Sequence, residues 1–316
     1  MSSKTPTIPA DVDGIARAAQ VLRDGGLVAV PTETVYGLAA RADRAEAVAK
    51  IYQAKGRPDF NPLIVHVRDL DHARQFGLFS DAAAAPATAI WPGPLTMVVP
   101  LRQDAGLAPA VTAGLPTIAL RAPAHPAMRG LLSRVDFPLA APSANRSGFI
   151  SPTMAEHVLA SLDGRIDFVL DGGATSGGIE STILAVRDDG RWEELRPGPV
   201  DLDVLHGRHF GQPMPAPPAQ GAVEAPGQLS RHYAPGKPVR LNAFEAKSDE
   251  FLIGFGGIPG DCSLSEAGDL TTAASRLYDC LHQAAASAKP RVAIAPVPGD
   301  GIGAAINDRL ERAAAA

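Results

Sequence analysis

Apolar residues recur at Val12, Ile15, Ala16, Ala19 and Leu22, a spacing that lays them along one side of a helix, and Gly25-Gly26 stops the pattern. The spacing predicts a helix over 12–23 that leads into a short apolar strand at 27–30. A polar segment, P-T-E-T-V-Y-G at 31–37, follows directly. Helical periodicity returns over 43–52 and ends at the turn Lys55-Gly56-Arg57-Pro58. In the strand predicted at 63–67, Leu63, Val65 and Val67 share one face while Ile64 and His66 share the other. At 116–121 the same alternation sets Ile118 and Leu120 against Thr117, Ala119 and Arg121. An arginine and a threonine on one strand face read as the lining of a site. Further strands are predicted at 139–141, 168–170 and 182–186. Helices alternate with strands, but several strands follow one another directly, so the expected fold is α/β with a mixed sheet.

The composition breaks after Gly211. Residues 212–226 carry Pro213, Pro215, Pro217, Pro218 and Pro226 with few bulky apolar side chains, the mark of a semi-rigid extended linker. Beyond R-H-Y-A-P at 231–235 a second α/β pattern begins, with strands at 239–241, 251–255 and 291–295 and helices near 271–287 and 303–312. The expected organisation is a first domain over 1–211, a linker over 212–237 and a small, Rossmann-like α/β domain over 238–316. Gly254-Phe255-Gly256-Gly257-Ile258-Pro259 starts like a dinucleotide fingerprint, but Pro259 stands where the third glycine belongs, so no dinucleotide is assigned there.

The net charge of −5 supplies no global positive field, so an anion would have to be held by a local group of cations. Cys262 and Cys280 are the only cysteines, which excludes a disulfide framework and a cysteine zinc site and fits a reducing compartment. The polar N-terminus and the lack of an apolar run of about 18 residues point to a cytoplasmic protein without a membrane span.

Neither a P-loop nor G-x-S-x-G occurs. His206 and His209 read as surface histidines, His125 as a loop residue, and His66 taken alone as a core histidine. Proline disfavours the helical region for the residue before it, so Arg57 is expected to be extended, with Lys55 on the same face. Two solvated loop charges are the bland alternative. Against it stand Arg121 and Arg196, also at strand or turn ends, with the hydroxyl and amide groups of Thr32, Thr34, Thr117, Ser143, Asn145, Ser181 and Thr182. Several cations among many neutral donors suit a triphosphate and a small zwitterion.

The ordered series P-T-E-T-V-Y-G-L at 31–38, K-G-R-P at 55–58, N-P-L-I-V-H-V at 61–67, W-P-G-P-L-T at 91–96, P-S-A-N-x-S-G at 142–148, G-I-E-S-T at 178–182 and L-R-P-G at 195–198 resembles the YrdC-like family of threonylcarbamoyl-AMP synthases. The last third, with R-H-Y-A-P, resembles that family's long two-domain form. The linker approach, A-P-G-Q-L-S at 225–230, departs from a common version with serine first and methionine after the glycine.

The resemblance implies a YrdC-like open twisted mixed sheet and a reaction in which L-threonine, bicarbonate and ATP yield L-threonylcarbamoyl-AMP and pyrophosphate. That product feeds threonylcarbamoyladenosine formation at position 37 of tRNA, with hand-over to a tRNA threonylcarbamoyl transferase machinery. By similarity Arg57, Asn61, Thr117, Ser143, Ser151, Arg196 and Tyr233 contact ATP, and Thr34, His66, Arg121, the Ala141 backbone and Ser181 hold threonine. Lys55, Arg57, Ser143 and Asn145 are the expected catalytic set, acting as clamps on phosphate and carbamate oxygens. Mg2+ is expected with ATP, without direct protein ligands. Glu33 reads equally as a general base or a turn cap. A linker folded over the pocket would keep water from the carbamate. The competing reading is RNA binding on a concave surface, which the acidic net charge disfavours. Carbamoyl transfer from carbamoyl phosphate, as in hydrogenase-maturing relatives, would require zinc-binding and acylphosphatase-like modules for which the chain has neither cysteines nor length.

Overall fold

The computed structural model describes residues 4–58, 60–187, 189–202, 224–225 and 232–315. Most of the linker lies outside the described residues, as do His206, His209, Arg231 and the 211/212 boundary.

The first helix spans Val12–Arg23, as its periodicity requires. Asp11 caps it by accepting from the Gly14 amide at 2.8 Å, and Ile15, Ala18, Ala19 and Leu22 are its buried side. It packs on a ten-stranded mixed sheet built from β1 (Thr7–Pro9), β2 (Val28–Pro31), β3 (Tyr36–Arg41), β4 (Ile64–His66), β5 (Leu95–Pro100), β6 (Thr117–Arg121), β7 (Leu139–Ala140), β8 (Phe168–Asp171), β9 (Thr182–Val186) and β10 (Trp192–Arg196). The order across the sheet is β1-β8-β2-β3-β7-β4-β6-β5-β9-β10. β4 runs parallel to β6 and β5 parallel to β9, while β3, β7 and β10 pair antiparallel with their neighbours.

The alternation read in β4 and β6 is the one the structure uses. Leu63, Val65, Val67, Ile118 and Leu120 lie in the main core beneath the helices. Ile64 and Ala119 pack on the opposite face with Val98, Ile183 and Ala185. Burying this apolar set stabilises the sheet by about 1.5–3 kcal/mol for each large side chain.

A smaller sheet follows, with strands β11 (Val239–Arg240), β12 (Glu250–Gly254), β13 (Cys262–Ser263) and β14 (Arg291–Ile294) in the order β11-β14-β12-β13. All its pairs are parallel. The helices Leu270–Ala286 and Ile302–Ala314 cover it. Val35, Ile150 and Ile179 of the first unit share one apolar cluster with these helices, so the two units are joined by a dry contact.

One local expectation is overturned. Lys55 is the last residue of the helix Ala45–Lys55, and Gly56 ends it in the left-handed conformation at φ 59°. Glycine takes that conformation without a Cβ penalty. The chain therefore reverses between Lys55 and Arg57, and the two side chains do not share an extended face.

Candidate functional site

The in-register pairing of β4 with β6 sets His66 beside Arg121 and Ile64 beside Ala119. Next to β4 the chain leaving β7 is held where the Ala141 amide donates to the Ile64 carbonyl at 3.1 Å. On the far side the β5 and β9 register brings Thr96 to Ser181, their hydroxyls 2.7 Å apart. A register irregularity in β10 between Glu194 and Arg196 precedes an arginine whose Nε and Nη2 donate to the Ser181 carbonyl at 3.1 and 2.9 Å.

The P-T-E-T segment is a turn locked by Thr32. Its hydroxyl accepts from the Thr34 amide at 3.2 Å and donates to the Val35 carbonyl at 2.6 Å. That turn aims Glu33 at Arg121, where Oε1 accepts from Nη2 at 2.7 Å and Oε2 from the Ala124 amide at 3.0 Å. Burial opposes the Glu33 charge, but Arg121 outweighs it and holds the carboxyl below its usual range. Glu33 is thus an ionised partner of Arg121.

These elements enclose a cavity of about 50 Å3. Thr34, His66, Arg121, Ala141 and Ser181, the five residues read as a threonine site, all line it. Arg57, Ser143, Arg196 and Tyr233 from the ATP set line it as well. Nε of Arg121 and Nδ1 of His66 are buried and find no partner among the described residues. Such polar atoms are costly unless a ligand or water meets them. Burial first, then the Arg121 charge, pushes His66 down to about 3, so its ring is neutral.

The remaining predicted residues stand elsewhere. Lys55 is buried and donates to the carbonyls of Ser143, at 2.6 Å, and Asn145. The Asn145 side-chain Nδ2 donates to the Arg146 and Phe149 carbonyls at 3.0 and 2.7 Å. Asn61 is buried, with Oδ1 unpartnered among the described residues, and its carbonyl accepts from Arg57 Nε at 3.2 Å. Ser151 is buried and donates to Glu180 at 2.5 Å. Thr117 lies about 13 Å along β6 from Arg121, in a separate groove with Pro100 and Arg187. Ala225 of the linker is buried in the apolar cluster of Ile64, Val98, Ala119, Ile183 and Ala185.

His232 and Tyr233 form the cavity's outer wall. Tyr233 takes φ 63°, a left-handed conformation that a bulky residue adopts only when its surroundings impose it. The Ala234 amide donates to the Gly148 carbonyl at 2.9 Å, and the Tyr233 ring stacks on Tyr278 at 5.4 Å.

Sequence reasoning missed Glu180 and two of its partners, Tyr278 and Arg309, while Ser151 was read only as an ATP contact. The carboxylate lines the cavity, receives Ser151 and the Tyr278 hydroxyl at 2.7 Å, and pairs with Arg309 at 3.3 Å. Burial works against this charge, yet Arg309, Arg196 and the hydroxyl donors hold its carboxyl at about 2. Arg309 carried a readable signal: it falls on the apolar stripe with Ala305, Ile306, Leu310 and Ala313.

The site presents three guanidinium groups, from Arg57, Arg121 and Arg196, against one lining carboxylate, and is suited to an anion. Glu33 and Glu180 are both bound to arginine. Among the described residues no group of three His, Cys, Asp or Glu could hold a metal ion.

The family model for Sua5, YciO and YrdC proteins, described as telomere recombination, matches residues 20–198. A model described as the threonylcarbamoyl-AMP synthase C-terminal domain matches residues 203–315. The chain is 38% identical to a threonylcarbamoyl-AMP synthase of Bacillus subtilis over 95% of this chain and 92% of that one. It is 41% identical to a Pyrococcus abyssi protein of the same name over 70% of this chain and 66% of that one. In three dimensions it matches Pyrococcus abyssi Sua5 solved in complex with L-threonine, with a TM-score of 0.87 and 32% identity over 99% of this chain and 98% of that one. The chain belongs to the Sua5/YciO/YrdC family, in the form that carries the additional C-terminal domain.

Proposed function

We propose that the protein joins L-threonine, bicarbonate and ATP into L-threonylcarbamoyl-AMP with release of pyrophosphate. The observation that carries this is the convergence of Thr34, His66, Arg121 and Ser181 on one cavity, with a buried Arg121 donor and a buried His66 ring nitrogen that have no partner among the described residues. The likeness to a Sua5 solved with L-threonine supports threonine as the amino acid. Arg121 Nε donates to the threonine carboxylate, and Glu33 keeps the guanidinium oriented. The threonine amine adds to bicarbonate with loss of water, or to CO2 formed from it with loss of a proton, giving a carbamate. A carbamate oxygen then attacks the α-phosphorus in line and pyrophosphate leaves.

Arg57 and Arg196 neutralise phosphate charge, and Ser143 offers a further contact. Lys55 acts one layer out by fixing the Ser143 and Asn145 loop. Mg2+ arrives with ATP as part of the substrate, held by phosphate oxygens and water. A space of about 50 Å3 is far below the roughly 300 Å3 of an ordinary ligand site, so ATP binding requires Ala225, His232 and Tyr233 to lift from the sheet face. Asn61, Thr117 and Ser151 then line the longer site so opened. The catalytic unit is residues 1–211 and the lid belongs to 212–237. The product passes to the enzymes that complete threonylcarbamoyladenosine in tRNA, in the cytoplasm. The test is threonine-dependent pyrophosphate release in the presence of ATP, Mg2+ and bicarbonate. Release that is equal without an amino acid would refute the reaction.

A further inference from the structure

Glu180 stands on the wall of the cavity assigned to substrates, where a bare carboxylate would repel the phosphates of ATP. Arg196 of the same unit helps to offset this charge, but the arginine in direct contact with the carboxylate comes from the other unit. Arg309, on the helix Ile302–Ala314, is fully buried and donates from Nε to Glu180 Oε2 at 3.3 Å. Its Nη1 is fixed by the Pro197 carbonyl and by Asp308 at 3.1 Å. Its guanidinium carbon lies 5.8 Å from the centre of the Tyr233 ring, on the cavity's outer wall. Gly178, two residues before Glu180, lets the helix Leu270–Ala286 approach so closely that a Cβ would come within 2.4 Å of the Ser275 Cα. The same helix supplies the Tyr278 hydroxyl to Glu180.

We infer that Arg309 is a positioning residue for the nucleotide site: it neutralises Glu180 from the C-terminal unit, so that the phosphates meet a cationic wall and Ser151 keeps its orientation. The inference rests on the ATP reading above. It gives the C-terminal domain a definite part in substrate binding. A purely structural ion pair makes a different demand, because its loss would affect charged and uncharged ligands alike.

The experiment measures binding of ATP and of adenosine to the full chain by calorimetry, with thermal unfolding alongside, for wild type, E180Q, R309M and E180Q/R309M. R309M is expected to weaken ATP by about tenfold or more while adenosine changes by less than about threefold. E180Q/R309M is expected to return ATP to within about threefold of wild type, whatever its melting temperature. Parallel weakening of ATP and adenosine in R309M, or a double variant that binds ATP no better than R309M, would overturn the inference. Where R309M does not fold, the double variant decides. Both of its wall groups are neutral, so ATP binding near the wild-type level supports the role and a loss confined to ATP refutes it. Adenylate synthesis by the wild type is scored separately, which tells failure of the reaction from failure of this role.

Discussion

Lys55 and Arg57 are two residues apart in sequence and differ in what surrounds them. The Lys55 ammonium satisfies two main-chain carbonyls of the Ser143 to Asn145 loop, whereas Arg57 reaches the cavity. Lys55→Ala leaves those carbonyls without their donor, at about 1–3 kcal/mol each, so a melting-temperature drop should accompany lost turnover. Arg57→Lys keeps the charge and loses the fork, which also holds the buried Asn61 and Pro62 carbonyls, and is expected to raise KM for ATP by about tenfold together with a lower melting temperature. An unchanged KM would remove Arg57 from the phosphate site. Arg121 was legible because a strand's two-residue period assigns faces without further information, whereas His66, read alone as a core histidine, was placed at the site by the family resemblance. Lys55 was misjudged because Gly56 turns the chain. The Glu180 and Arg309 pair, 129 residues apart, required the tertiary structure.

At the scale of elements, legibility followed patterning. The helix Val12–Arg23 and strand β9 were read to their ends because periodicity and stop signals agree. Strand β3, Y-G-L-A-A-R, was missed because it is buried on both faces and shows no alternation. The helix Asp81–Ile90 was missed because it is alanine-rich with Pro86 inside. Two of the contacts that join the units belong to this scale. Gly178→Ala would drive a Cβ into the backbone of the helix Leu270–Ala286 from a residue at φ 72°, and a loss of about 1–3 kcal/mol with reduced ATP binding is expected. Wild-type melting and binding would show that the approach is not needed. The second contact is the stack of His157 on His282, ring centres 3.8 Å apart, with Asp279 beside His157 at 3.8 Å. Burial pushes both histidines down to about 4, and each charge would also repel the other. Their folded values lie below the unfolded value, so their contribution is complete above about pH 6.5 and is lost as pH falls towards 4. Hydrogen exchange in the helix Leu270–Ala286 should accelerate over that interval before the large sheet opens. Simultaneous opening would contradict a separable interface.

Across the whole molecule, the division into two α/β units was visible from the proline-rich break and the return of alternation, while their mutual dependence was not. The first unit has its own sheet and main core, yet Glu180 takes two of its partners from the second. Deleting residue 212 onward is therefore expected to leave a folded first unit with impaired synthesis, checked by circular dichroism and turnover. Full activity would show that neither the linker nor Arg309 is needed. The most direct test of the central claim is mass detection of the product formed from ATP, Mg2+ and isotopically labelled bicarbonate with each amino acid in turn. The expected result is an adenylate that carries the bicarbonate label and forms with threonine. An unlabelled product, or a labelled one that forms with another amino acid and not with threonine, would contradict it.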